Sequence, residues 1–454
     1  MVNEDLNSTF NIEHSPFHIP VSSVFATAEY THGMKHLTVV AIAILIAASI
    51  LADDVTDSRR LARGAIEAYK AKNVALFLEK SRAASDLRPS HPTMLYNYAG
   101  ALALNGRGDE AIDALERIAA MGMIYEPAKD DDFASIKGSP RFARVVAVFQ
   151  RNADPTTKTK REFTIDDRGI IPEGIAYDAR TRRFFVSSVR NGAIYARDSR
   201  GKVSQFVRDQ PWGIFGMATD PARRRLWAGT SALPQWKGFR EDDRNHAAVL
   251  EIDLDSGKVL NTIRPQDDGK HVFGDVAVAR DGSVFVSDSV SPSIYVIRSG
   301  AMTPLIRSGP FSSLQGLAPS PDGRILYAAD YARGIFAIEV ATGEPHLLPI
   351  PPNTSLLGVD GLYTAGKDTL VGTQNGTNPQ RVIRMQLAPN GQAITRVDTL
   401  ASNERDFDDI TLGVVNGDRL YFNAAAQWNL FGDDGTAPDA AKLNPARILS
   451  VSIR

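Results

Sequence analysis

Cysteine is absent from the 454 residues, which removes disulfides as a stabiliser and, with them, thiol catalysis and Cys-based zinc sites. Histidine is scarce: of 8 in the chain, only His246, His271 and His346 fall in the C-terminal two thirds, so a soft zinc site is not expected there. An excess of charge is also missing. With 51 Lys and Arg against 53 Asp and Glu, the net charge is -2, and a nucleic-acid partner, which needs a concentrated basic surface, is set aside. The one conspicuous apolar run, Leu37 to Ala52, is 16 residues long, short of the roughly 20 that a membrane span needs.

That run follows Met34-Lys35-His36, carries Ala47, Ala48, Ser49 and Ala52 near its end, and stops at Asp53-Asp54. Residues 34–52 therefore look like a secretory signal peptide, which predicts a periplasmic or secreted protein. An uncleaved anchor is the rival reading and the one route to membrane association. Residues 1–33 have no place in such a leader. They are expected to be a non-native or disordered extension, with Met34 as the true start.

What is present is a period. A short phrase recurs six times: Pro172-Glu173-Gly174-Ile175-Ala176, Phe215-Gly216-Met217-Ala218, Gly274-Asp275-Val276-Ala277, Gln315-Gly316-Leu317-Ala318, Asp360-Gly361-Leu362-Tyr363 and Asp408-Asp409-Ile410-Thr411. The copies lie 42, 59, 41, 45 and 48 residues apart, the self-similarity of one supersecondary unit repeated around a ring. Each phrase leads into a turn rich in Asp, Gly and Arg and then an apolar strand, such as 183–188 or 325–331. Alternating Val, Ile, Tyr and Phe punctuated by Asp-Gly and Asn-Gly is the all-β pattern. Six such units predict a mainly β fold, a six-bladed β-propeller over residues 161–454. The last unit runs out of chain after its third strand, so residues 161–165 are expected to close the ring as its outer strand.

Residues 55–150 have a different grammar, with Ala, Leu, Glu and Arg at helical spacing. The stretch 94–122 resembles a tetratricopeptide repeat through Leu95, Tyr98, Ala99, Leu102, Ala111 and Leu115, with Gly106 to Asp109 at its turn. A small helical domain is expected, either packed as a bundle or offering a groove to a protein partner, with 152–160 as the linker.

Chemistry is expected where the phrases converge. The second strand of every unit ends in polar residues: Ser187-Ser188, Thr230-Ser231, Asp288-Ser289, Asp330-Tyr331, Gln374-Asn375 and Asn423. Such residues are common at turns in any case, but six of six converge with Glu173, Asp275, Asp360, Asp408 and Asp409. Hard oxygen donors crowded on one axis suit calcium or magnesium, which offset carboxylate repulsion. Two long insertions, 232–246 and 424–445, leave the same face and carry Trp236, Phe239, Trp428 and Phe431, aromatic residues able to cover a cavity.

The phrases Pro172-Glu173-Gly174, 274–288, 315–330 and Val359-Asp360-Gly361-Leu362 resemble the SMP-30/gluconolactonase/LRE-like propellers. That resemblance covers about residues 161–454. It implies a divalent cation, calcium first and magnesium second, at the channel mouth, and hydrolysis of a lactone or small ester as the reaction. Carried over, the metal ligands are Glu173 and Asp360. The family's Asn positions in the third and fourth blades are Gly274 and Gln315 here; Gln315 can still offer an oxygen, and Gly274 cannot. The resemblance further implies Asp275 as general base and Asp288 or Asp330 as contacts behind the metal or to substrate; the convergence of the strand ends, phrases and insertions adds Gln374, Asn423, Asp409 and Trp236 as rim or substrate contacts. The alternative is a non-catalytic propeller that binds a ligand or a protein and uses the helical domain as a docking arm.

Overall fold

The computed structural model describes residues 54–454; the expected signal peptide and the extension before it lie outside the described residues. Five helices come first: α1 (Asp54–Lys70), α2 (Val74–Leu87), α3 (Pro92–Leu104), α4 (Gly108–Ala120) and α5 (Pro140–Asn152). Local chemistry sets their limits. The Asn73 side chain accepts from Leu76 N at the start of α2, and α3 opens on Pro92 with His91 as its cap, where the missing proline donor costs nothing. Gly106, at φ 74°, turns the chain after α3. Leu95, Ala99, Leu102, Ala111 and Leu115 are buried, and none of the helices among the described residues is long and apolar enough to cross a membrane.

The described residues form two compact units: 54–118 with 127–145, and 146–454 with 119–126. Helical sequence therefore contributes to both. Within the second unit the expected linker is tied down, because Glu404 accepts hydrogen bonds from Thr156 Oγ1 at 2.8 Å and Lys158 N at 2.6 Å.

The second unit contains six four-stranded antiparallel sheets. Their inner strands are Ile175–Asp178, Gly213–Asp220, Phe273–Val278, Leu314–Pro319, Val359–Thr364 and Gly413–Asn416, each beside the next and the first beside the last. The ring closes as expected. Lys160–Arg168 pairs with Pro445–Ser452, with Arg161 opposite Leu449 and Ile165 opposite Ala446, so the two ends of the domain share one sheet. Apolar side chains fill the gaps between blades, as where Phe185 and Ile194 meet Ile214, Leu226 and Leu250. Each fully buried side chain of this size contributes roughly 1.5–3 kcal/mol relative to exposure.

Candidate functional site

The repeated phrase is a β-bulge in four blades. Partners run from Ile214↔Thr230 to Met217↔Ala228, from Phe273↔Asp288 to Val276↔Val286, from Leu314↔Asp330 to Leu317↔Ala328, and from Val359↔Gln374 to Leu362↔Gly372. One extra residue on the inner strand locally disrupts the ladder and re-aims side chains; in the first and sixth blades the phrase lies just before the strand. Its glycines have a steric cause. A Cβ on Gly174 would lie 2.4 Å from Phe215 O, and one on Gly316 would lie 2.4 Å from Leu362 N. Neighbouring inner strands touch through backbone, and only glycine permits it.

Gly216 does something further, since its Cβ would stand 2.4 Å from Asp275 Oδ1. Asp275 fills that space. Its Oδ2 accepts from Leu317 N at 2.9 Å, across to the fourth blade, and burial pushes its pKa to about 7. Asp360, raised to about 8 by burial and then by Asp409 and Asp275, accepts from Asn375 Nδ2 at 2.9 Å. Asp409 sits at φ 69° and accepts from Trp428 N at 2.9 Å, with a pKa pushed to about 6 by burial. Glu173 accepts from the Trp428 indole Nε1 at 2.8 Å; burial first, then Asp360, hold its pKa well above the usual range. Four carboxyls from the first, third, fifth and sixth blades thus influence one another, and Glu173, Asp275 and Asp360 are only 3%, 6% and 5% exposed. No Lys, Arg or His among the described residues forms an ion pair with any of them.

Gln315 joins from the fourth blade. Its Nε2 donates to Ser313 Oγ at 3.2 Å, and its Oε1 lies 4.0 Å from where a Cβ on Gly274 would stand. The longer amide therefore reaches toward the space that the missing third-blade side chain leaves. That space is partly filled, because the same Cβ would be 2.9 Å from Ser289 Oγ.

Most of the polar strand ends serve the fold. Asp288 accepts from Val272 N, Val290 N and Ser291 N and holds His271 Nδ1 at 2.6 Å. Asp330 accepts from Ser312 N, Ser313 N, Ala332 N and Arg333 N. Neither carboxylate is turned to the four acids, because backbone amides already occupy its oxygens. Gln374 donates to Ser355 O and Leu357 O and accepts from the buried Arg381. Ser187, Ser287 and Thr373 take the amides of Gly174, Asp275 and Gly361 at 2.7, 3.0 and 2.9 Å, which ties each second strand to its bulge or phrase. Asn423 is closer to the chemistry: its Nδ2 donates to Glu173 O at 2.6 Å, and its Oδ1 is buried without a hydrogen-bond partner.

The two insertions meet. Gln235 Nε2 donates to Gly432 O at 3.1 Å, and Leu233, Trp428, Phe431 and Leu443 share one apolar cluster with Ile171, Phe215 and Val272. Trp428 is the residue that reaches the acids. Trp236 instead packs beside Trp212, Ala232 and Ala248. Asn375, Tyr331 and Tyr363 also reach the site: Tyr331 OH donates to Asn375 Oδ1 at 3.0 Å, and Tyr363 OH accepts from Gly413 N at 2.5 Å. In the sequence Asn375 and Tyr331 are legible only as polar strand ends, since a pattern of period two does not say which end residue turns inward.

Among the described residues no three His, Cys, Asp or Glu side chains are arranged to hold a metal ion. Two carboxyls and an amide oxygen, from Glu173, Asp360 and Gln315, are nonetheless hard donors in a buried region with no cationic side chain paired to them, the chemistry that suits calcium or magnesium.

No family model matches the sequence, and no curated protein does. Solved structures do. A gluconolactonase from Xanthomonas campestris aligns over 64% of this chain and 88% of its own at 16% identity, with a TM-score of 0.44. For a calcium-binding regucalcin from Agrobacterium tumefaciens the shares are 65% and 96%, at 16% identity and a TM-score of 0.44. A virginiamycin B lyase from Staphylococcus aureus aligns over 65% of this chain and 100% of its own at 14% identity, with a TM-score of 0.43. At such identities the likeness concerns the fold alone.

Proposed function

We propose that the propeller is a divalent-cation-dependent hydrolase of a lactone or related small ester. The observation that supports this reading is the burial of Glu173, Asp275 and Asp360, with the half-buried Asp409 acting on Glu173 and Asp360, and no cationic side chain paired with any of them. Carboxyls so placed either keep protons or share a cation, because ionising several in a low-dielectric region without a counter-charge is costly. Glu173 and Asp360, with Gln315 Oε1, would hold the ion; calcium tolerates an irregular oxygen set better than magnesium. When bound, such an ion polarises an ester carbonyl and increases the acidity of water.

The chain's own residues supply the rest. Asp275, pushed up to about 7 by burial, is matched to general-base work at neutral pH. It would accept a proton from the water that attacks the carbonyl carbon; the ring C–O bond then breaks and the leaving alkoxide takes up a proton. Gly216 keeps Asp275 Oδ1 unobstructed, while Leu317 N fixes Oδ2. Trp428, packed with Phe215, Leu233 and Phe431, would hold Glu173 through its indole N–H. If the 34–52 segment exports the protein, calcium is abundant there, and a Kd of roughly 10⁻⁴–10⁻³ M is sufficient for an extracellular site.

The test is metal content after purification without chelator, joined to turnover of a lactone panel with and without EDTA, with Glu173→Gln as control. EDTA-sensitive hydrolysis lost in Glu173→Gln supports the proposal. A protein that neither binds calcium nor opens any lactone sinks it. Cation binding without turnover would favour the non-catalytic propeller with a helical docking arm, the reading to which Gly274 lends support.

A further inference from the structure

Asn375 has every amide group committed. Its Nδ2 donates to Asp360 Oδ2 at 2.9 Å and to Ile410 O at 2.8 Å, and its Oδ1 accepts from Tyr331 OH at 3.0 Å. The orientation is not a matter of choice. A backbone carbonyl can only accept, so the nitrogen must face Ile410; the oxygen must then face Tyr331, whose hydroxyl must donate. Three blades meet in this chain of bonds: Tyr331 from the fourth, Asn375 and Asp360 from the fifth, and Ile410, next to Asp409, from the sixth.

The backbone makes room for it. A Cβ on Gly376 would lie 2.6 Å from Tyr331 Cζ and 2.5 Å from Gly358 Cα. Gly358 N donates to Tyr331 O at 2.8 Å, and Gly376 N donates to Gly358 O at 3.1 Å. Two glycines thus open a slot through which the half-buried Tyr331 ring reaches Asn375.

We propose that Asn375, locked by Tyr331, is a positioning residue for Asp360. It holds Oδ2 and thereby presents Oδ1 alone to the cation and substrate. This rests on the cation reading above. The arrangement explains why Asp360 needs no ion pair to be fixed, and why Asn rather than Asp or Ser ends this strand: only an amide both donates twice and accepts from Tyr331.

The test uses the whole chain and calcium or terbium(III) as probe. Asn375→Ala should weaken calcium binding about ten- to hundredfold, the range found when a group that orients a metal ligand is removed. Tyr331→Phe, which deletes one hydroxyl, should weaken it by less and add nothing in the Asn375→Ala background, since the two act through one bond. The melting temperature of EDTA-treated Asn375→Ala reports folding separately. A structural role alone would lower that temperature and leave the affinity of the folded fraction unchanged, which would overturn the proposal. A second readout does not depend on the cation: the Asn375 side-chain amide protons should be protected from exchange in the wild type and lose that protection in Tyr331→Phe. Protected protons in a protein that binds no calcium would sink the cation reading and leave the network; unprotected protons in the wild type would sink the positioning role.

Discussion

Two sets of acids lie on the blades of one propeller and are treated differently. Asp288 and Asp330, at the ends of second strands, are surrounded by three and four backbone amides respectively. Glu173, Asp275, Asp360 and Asp409, on the phrases, have one or two donors each and one another for neighbours. Burial raises Asp330 as well, but there the amides of Ser313, Ser312 and Ala332 oppose the shift. Residue type does not separate these sets. The supply of donors does: an acid that caps a turn has its acceptors filled by the fold, whereas an acid on the repeated phrase keeps acceptor capacity for something else.

The strongest way to break this comparison is to neutralise one member of each set. Glu173→Gln should reduce calcium affinity by about a hundredfold or more, in line with roughly 3 kcal/mol for a lost charged contact, yet raise the melting temperature of the EDTA-treated protein because a buried like-charge contact is gone. Asp330→Ala should do the reverse, lowering stability by about 2–4 kcal/mol in urea unfolding with calcium affinity retained. Equal destabilisation by both would show that the two sets are one.

A pH series sharpens the point. Asp409, Asp275 and Asp360 are lifted to about 6, 7 and 8, above the roughly 3.9 of an unfolded aspartate. Between these values the folded chain binds more protons than the unfolded one, so the stability of cation-free protein falls as pH rises from about 4 to about 8. Melting of EDTA-treated protein should show that decline, and calcium should raise the melting temperature more at pH 8 than at pH 5. A flat profile would mean that the acids already share a counter-charge.

Smaller effects come from the tethers. Ser287→Ala removes the acceptor of Asp275 N and should cost about 1 kcal/mol, with a change in turnover larger than that of Ser187→Ala, whose partner is Gly174. Least of all, Trp236→Phe should leave calcium affinity unchanged, whereas Trp428→Phe, which deletes the donor to Glu173, should weaken it. Terbium luminescence excited through tryptophan checks this pair directly, because loss of the signal is expected in Trp428→Phe alone.

Much of the fold could be read in advance because its causes are local and repeated. The period of the phrase required a ring, and the truncated last unit required that 161–165 return to complete it; Arg161 opposite Leu449 is that closure. Glu173, Asp275, Asp360, Asp408 and Asp409 stood out because acids on one repeated phrase are brought toward one axis when the repeat closes; Asp408 instead accepts from Asn444 Nδ2 and faces Arg447. The polar strand ends leave two readings open for a related reason. Ser, Asp and Asn fit both a site and a turn, and only the donors around Asp288 and Asp330 distinguish the two.

By itself, then, the sequence determined the six blades, the closure and the placing of acids on the repeated phrase, since strand period and repeat spacing are properties of the chain alone. Tertiary structure decided which oxygens remained available. That Trp428 rather than Trp236 covers Glu173, that Gln315 turns toward the space at Gly274, and that two glycines let Tyr331 fix Asn375 depend on contacts between blades far apart in the chain. A hydrogen bond has one donor and one direction, and no spacing along a single strand specifies either.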